Sequence, residues 1–79
     1  MRLITVDQGP TVLAVNSSGS RIYVANYPSS TVSVIDTASN GVVATVPVGV
    51  EPIGVAVAPN GRHVYVANSA SSSVSVIDT

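Results

Sequence analysis

The chain has 79 residues, enough for one small domain with a limited core, and it has no cysteine, so no disulfide can reinforce it. Charged residues make up 9% of it against about 25% in an ordinary soluble domain, and the net charge is −1. With no Lys, three scattered arginines (Arg2, Arg21 and Arg62) and one His, the sequence offers no footprint for nucleic acid or anionic lipid and no ligand cluster for structural zinc.

Apolar runs of four to seven residues, dominated by Val, Ile, Thr and Tyr, are broken every 8–12 residues by Gly, Pro, Asn or Ser. Such runs form short strands, and no window keeps helical spacing without a breaker, so the chain reads as all-β. The first expected strand is Arg2–Val6, closed by Asp7-Gln8-Gly9-Pro10. Thr11–Val15, Arg21–Ala25 and Thr31–Ile35 follow, separated by Asn16–Ser20 and by the loop from Asn26 through Pro28 to Ser30. Asp36–Gly41 reads as a tight turn, its Asn40-Gly41 pair being the strongest hairpin signal of the chain. Val42–Val48 is the fifth strand, and Ile53–Val57, His63–Ala67 and Ser73–Ile77 repeat the second, third and fourth.

That repetition organises the chain. Tyr23–Thr37 and Tyr65–Thr79 are nearly identical and lie 42 residues apart. The same shift pairs Pro10 with Pro52, Ala14 with Ala56, Gly19 with Gly61, Asp36 with Asp78, and Arg2–Val6 with Ala44–Val48. A period near 40 residues with four short strands describes one blade of a β-propeller, whose strands are apolar on both faces because each blade stacks between two neighbours. The expected layout is an outer strand of a split blade in residues 1–10, a complete blade in 11–52, and three inner strands of the split blade in 53–79.

The motif Tyr-Val-Ala-Asn in both units, together with Val-Ser-Val-Ile-Asp-Thr, Gly41–Gly49 and Ala58-Pro59-Asn60-Gly61, resembles the YVTN β-propeller repeat of archaeal and bacterial surface-layer proteins. The resemblance spans essentially the whole chain. It departs at Ala25 and Ala67, where the name-giving motif has Thr, and at Asn16-Ser17-Ser18-Gly19, where the second unit keeps the Pro-Asn-Gly turn. It implies a structural or adhesive role, a cell-surface or extracellular location, and protein or glycan ligands. The composition, short of Lys and rich in Ser, Thr, Asn and Val, agrees with such a location.

Closed propellers have roughly 4–8 blades, and this chain has strands for two. A full double repeat would run five residues longer, through the equivalents of Ala38–Val42. The expected device is strand exchange, with Arg2–Val6 of one copy completing the blade begun by 53–79 of the next. Head-to-tail contacts of this kind close rings, here of roughly three or four copies with six or eight blades. The partner is thus the chain itself. No apolar run reaches the ~20 residues that span a bilayer, so neither membrane insertion nor nucleic-acid binding is expected.

Candidate chemistry is sparse, and no cofactor or metal is expected. His63 opens a strand after Gly61-Arg62, and neither an orienting carboxylate nor a nucleophile recurs near it in the sequence, so it reads as a half-exposed turn residue. Asp36 and Asp78 could line a ring of acids in an oligomer, but they fit better as turn residues binding their own N–H groups, as do Asn26 and Asn68. Tyr23 and Tyr65 are expected to fill the space between blades. Asp7, Gln8, Tyr27 and Glu51 lie in loops expected on one rim, and Tyr27, whose repeat counterpart is Ser69, is the best recognition candidate. Propellers related in shape include lactonases and quinone- or haem-dependent enzymes, so a miniature or fragment of such an enzyme is the alternative. A fragment able to assemble but without activity of its own is a third reading.

Overall fold

A computed structural model describes residues 3–79. Seven strands make up its regular structure: β1 (Pro10–Val15), β2 (Arg21–Asn26), β3 (Thr31–Asp36), β4 (Gly41–Pro47), β5 (Pro52–Val57), β6 (His63–Asn68) and β7 (Ser73–Asp78). They form two antiparallel sheets, β1-β2-β3-β4 and β5-β6-β7, each a simple meander. The fold is all-β, with every strand expected from Thr11 onward found within about a residue of its expected bounds.

The expected strand Arg2–Val6 is the exception. Leu3–Val6 belongs to no sheet, and Arg2 lies outside the described residues. The segment joins none of the open edges, which are β1 and β4 of the first sheet and β5 and β7 of the second. Ile4 and Val6 are nonetheless half-buried, while Leu3 is exposed.

The turns explain why the two units superimpose in register. Asn26–Thr31, Asp36–Gly41 and Asn68–Ser73 are each closing pairs of a hairpin with four intervening residues. The last loop residue of each takes a left-handed backbone: Ser30 at φ 56, Asn40 at φ 54 and Ser72 at φ 51. Asn40 therefore supplies the left-handed residue, and Gly41 begins β4 opposite Asp36. Between β1 and β2, Gly19 at φ 73 ends a turn in which Asn16 Oδ1 accepts the Arg21 N–H at 3.1 Å. Its counterpart between β5 and β6 reaches the same shape from different residues, with Asn60 Oδ1 accepting the Arg62 N–H at 3.0 Å and Gly61 again at φ 73. Both first strands carry an irregularity next to their proline, after Pro10 and after Pro52, where a missing N–H interrupts the ladder.

The core lies between the sheets. Alternation along a strand and the pairing register place Val12, Ala14, Tyr23, Ala25, Val32 and Val34 on one face of the first sheet. Tyr23, Val32 and Val34 from that face meet Val64 and Val66 of the second sheet, with Val46, Val48, Val55, Val57 and Ile77 packed around them. Val64 and Val66 are wholly buried, and each contributes roughly 1.5–3 kcal/mol of apolar burial. The other face of the second sheet is open: Tyr65 is 42% exposed, whereas its counterpart Tyr23 is 2% exposed. On the far face of the first sheet, Val24 and Ile35 are buried but Leu13 and Val15 of β1 are exposed.

Candidate recognition rim

The loops before β1 and β5 and the loops β2–β3 and β6–β7 come together at one end of the two sheets. Tyr27 N donates to the Gly9 carbonyl at 3.0 Å, and Ser69 N donates to the Glu51 carbonyl at the same distance, so each pair of loops is strapped alike. Gly9, at φ 68, has no room for a side chain, since a Cβ there would stand 2.2 Å from Pro28 Cδ. Its counterpart Glu51 adopts the same left-handed backbone with a side chain in place.

Beneath each strap lies a short ladder of hydroxyls. Asn26 is fully buried, and its Nδ2 donates to Thr31 Oγ1 at 3.2 Å and to Ser33 Oγ at 3.0 Å. Asn68 Nδ2 does the same to Ser73 Oγ and Ser75 Oγ at 3.4 and 2.9 Å. The two asparagines therefore lock neighbouring strands through their amide N–H groups, and do not serve as acceptors for turn N–H groups as expected from sequence. The Oδ1 of each is buried without a partner among the described residues.

Asp7 and Gln8 join the first ladder. Asp7 Oδ2 accepts the Thr31 hydroxyl at 2.8 Å, its Oδ1 accepts the Gln8 N–H at 3.0 Å, and the Gln8 carbonyl accepts Ser29 Oγ at 3.3 Å. The Thr31 hydroxyl, followed by the Gln8 amide, holds the Asp7 carboxyl below its ordinary range. In the second unit backbone groups take over this task, Gly49 N donating to Ser75 Oγ and Val50 N to Ser71 Oγ. Tyr27 lies near Glu51 of the second unit, close enough for the carboxylate to act on its hydroxyl. That interaction, with the negative charge of Glu51, pushes the phenol above its ordinary pKa. Of the four rim candidates, then, Tyr27 and Glu51 form one pair between the units, and Asp7 and Gln8 are tied into the first unit's turn.

At the other end of the sheets Asp36 Oδ1 accepts the Ala38 N–H of its own turn at 3.1 Å. Asp78 is engaged differently. It faces His63 across β6 and β7, with Oδ1 3.1 Å from His63 Nε2. The orienting carboxylate that the sequence did not reveal is thus present. Counting outward from the β6–β7 loop finds it, since His63 and Asp78 are equidistant from its centre. The next side chain, Thr79, gives its hydroxyl to the Gly61 carbonyl, so the pair is not coupled to that hydroxyl as a nucleophile. Among the described residues no three His, Asp or Glu side chains converge.

The surface also carries two concavities. One, of about 230 Å3, lies between the units and is lined by Asn16, Ser20, Arg21, Tyr23, Gly61 and Thr79. The other, of about 350 Å3, is an apolar hollow on the open face of the second sheet, lined by Gly54, Val55, Ala56, Tyr65, Ala67 and Val74. Neither includes a rim candidate, and the sequence singled out neither.

No family model matches the chain, and no curated protein does. Among solved structures it is similar to hydrazine synthase of Kuenenia stuttgartiensis, at 33% identity and a TM-score of 0.88, over 99% of this chain and 22% of that one. It is also similar in fold to a protein of unknown function from Desulfotomaculum acetoxidans, at 21% identity and a TM-score of 0.69, over 87% of this chain and 26% of that one. The chain thus spans about a quarter or less of the length of these two structures.

Proposed function

We propose that the chain is a pair of propeller blades of YVTN type that acts as a structural or adhesive module at a cell surface and completes its ring with further copies of itself. The observation that carries this reading is a matched deficit. Among the described residues the second sheet has one strand fewer than the first and is open on one face, while Leu3–Val6, the counterpart of part of β4, joins neither sheet. Ile4 and Val6 occupy the repeat positions of Val46 and Val48, which pack on the core, so the segment carries the residues an outer strand needs. Strand exchange between copies would fill both gaps at once, and Tyr27 and Glu51, with Asp7 and Gln8 beside them, would then present repeated rim contacts to a protein or glycan.

Light scattering or native mass spectrometry tests this at concentrations where circular dichroism shows folded strands. The expected particle contains three or four copies of the 7.9 kDa chain. A folded particle of one copy would overturn the reading. A second reading, favoured by the 33% identity to hydrazine synthase, makes the chain a stretch of a longer propeller-bearing enzyme. Lactone turnover or tight metal binding by the isolated chain, measured by assay and calorimetry, would favour that class.

A further inference from the structure

The joint inside the chain is a template for the joint between copies, and this inference rests on the reading that copies assemble. Shifted by the repeat, the open face of the second sheet corresponds to the buried face of the first. The far face of the first sheet corresponds in turn to the second sheet's core face. Beyond the irregular starts of β1 and β5, the apolar positions of the paired faces on the three shared strands are identical in the two units at all but three places. Val12 is replaced by Gly54 on the receiving face, while Val55 and Val64 are replaced by the longer Leu13 and Ile22 on the entering face. The receiving side loses three carbons and the entering side gains two. Such reciprocal changes are what a packed joint requires, since interiors tolerate volume changes only when they are compensated.

We infer that the apolar hollow of about 350 Å3 beside Gly54 and Tyr65 is the seat for Leu13 of a second copy, with Ile22 of that copy adjoining it. Within the chain β1 and β5 already pack on each other, so the transposed contact puts β5 of one copy against β1 of the next. Leu13 on the entering side and Tyr65, Val74 and Val76 on the receiving side are exposed residues that this joint removes from water, whereas Val24 and Ile35 of the entering face are already buried within the chain. The Leu13–Gly54 fit makes the joint between copies different from the one within a chain, where Val55 and Val12 hold the corresponding repeat positions. It therefore discriminates head-to-tail addition of a whole copy from mispairing of equivalent sheets.

Gly54 can be enlarged without harming the chain's own fold, as its backbone is not left-handed and a Cβ would meet only Ala67 Cβ at 3.7 Å. The test compares the 79-residue chain with Gly54→Val, Leu13→Val and the double variant, by concentration-dependent mass with circular dichroism as the folding control. Gly54→Val is expected to raise the dissociation constant per joint at least about tenfold by overpacking. Leu13→Val alone should raise it roughly fivefold, and together the two should cost less than Gly54→Val alone, because they restore the valines that hold these repeat positions within a chain. Assembly unchanged by Gly54→Val, or two effects that simply multiply, would overturn the inference while leaving assembly standing. A wild-type chain that stays monomeric would overturn both. As an independent arm, Leu13→Cys with Gly54→Cys should give disulfide-linked multimers on mild oxidation, and a product of single chains only would count against the joint.

Discussion

Glu51 and Tyr27 show how one residue can break a repeat for a reason. Glu51 holds a left-handed backbone where the other unit has Gly9, a conformation that costs a side-chain-bearing residue on the order of 1 kcal/mol. What the glutamate adds is a carboxylate near the Tyr27 phenol, whose pKa it raises, and Tyr27 is itself unrepeated. The neutral phenol is the form favoured in the fold. Because its folded pKa is raised, the pair's contribution is fully present below the ordinary tyrosine pKa near 10 and is lost as pH rises through the folded value. Glu51→Gln removes the charge and should bring the Tyr27 titration, followed by NMR, back down toward 10. A Tyr27 midpoint that does not move would show that the two side chains do not meet in solution. Asp7 has the opposite sign: its lowered pKa makes its tie to Thr31 available above about pH 3.8 and weakens it as pH falls through the folded value.

At the scale of elements the contrast is between β3 and β7, two strands that share Val-Ser-Val-Ile-Asp yet differ in surroundings. β3 is paired on both sides, by β2 and β4, while β7 has β6 alone. The amides of β7 that point away from β6 are therefore expected to exchange with deuterium at least about tenfold faster than their β3 counterparts in dilute chain, and to slow when the chain is concentrated enough to assemble. Equal protection in dilute chain would mean that β7 does not have a free edge. The strands themselves were legible in the sequence because β-branched runs and turn residues are local signals, and the 42-residue repeat read each signal twice. The fate of Leu3–Val6 was not legible, since which edge a strand joins depends on where the sheets lie in space and not on its own residues. Likewise the rim loops could be placed at one end from repeat position, but the Tyr27–Glu51 and His63–Asp78 pairs depend on how two loops and two strands meet. The buried asparagines were misread for the same reason, as strand-end position does not reveal which half of an amide faces the neighbouring hydroxyls.

For the whole molecule the question is where a second unit with one face open finds its missing layer. The internal joint buries Tyr23, Val32, Val64 and Val66 almost completely, while Tyr65, Val74 and Val76 on the second sheet and Leu13 and Val15 on the first stay exposed. Such faces in water drive association. If exchange of the first strand closes the joint, a chain lacking residues 1–6 keeps all seven strands but loses the segment that would cap β7 of its neighbour. The expected result is a folded chain, with a far-ultraviolet spectrum close to that of the full chain, whose assembly is weakened by at least about tenfold, since the paired backbone and the apolar contacts of Ile4 and Val6 are both removed. A synthetic peptide of residues 1–8, added in excess, should occupy the free edge of β7 and slow its amide exchange without restoring the ring, because it is not covalently continuous with β1. Slowing at β7 together with continued loss of the ring would separate the two duties of the segment, pairing with one copy and tethering to the next. Undiminished assembly of the shortened chain would show instead that the faces alone hold the particle together.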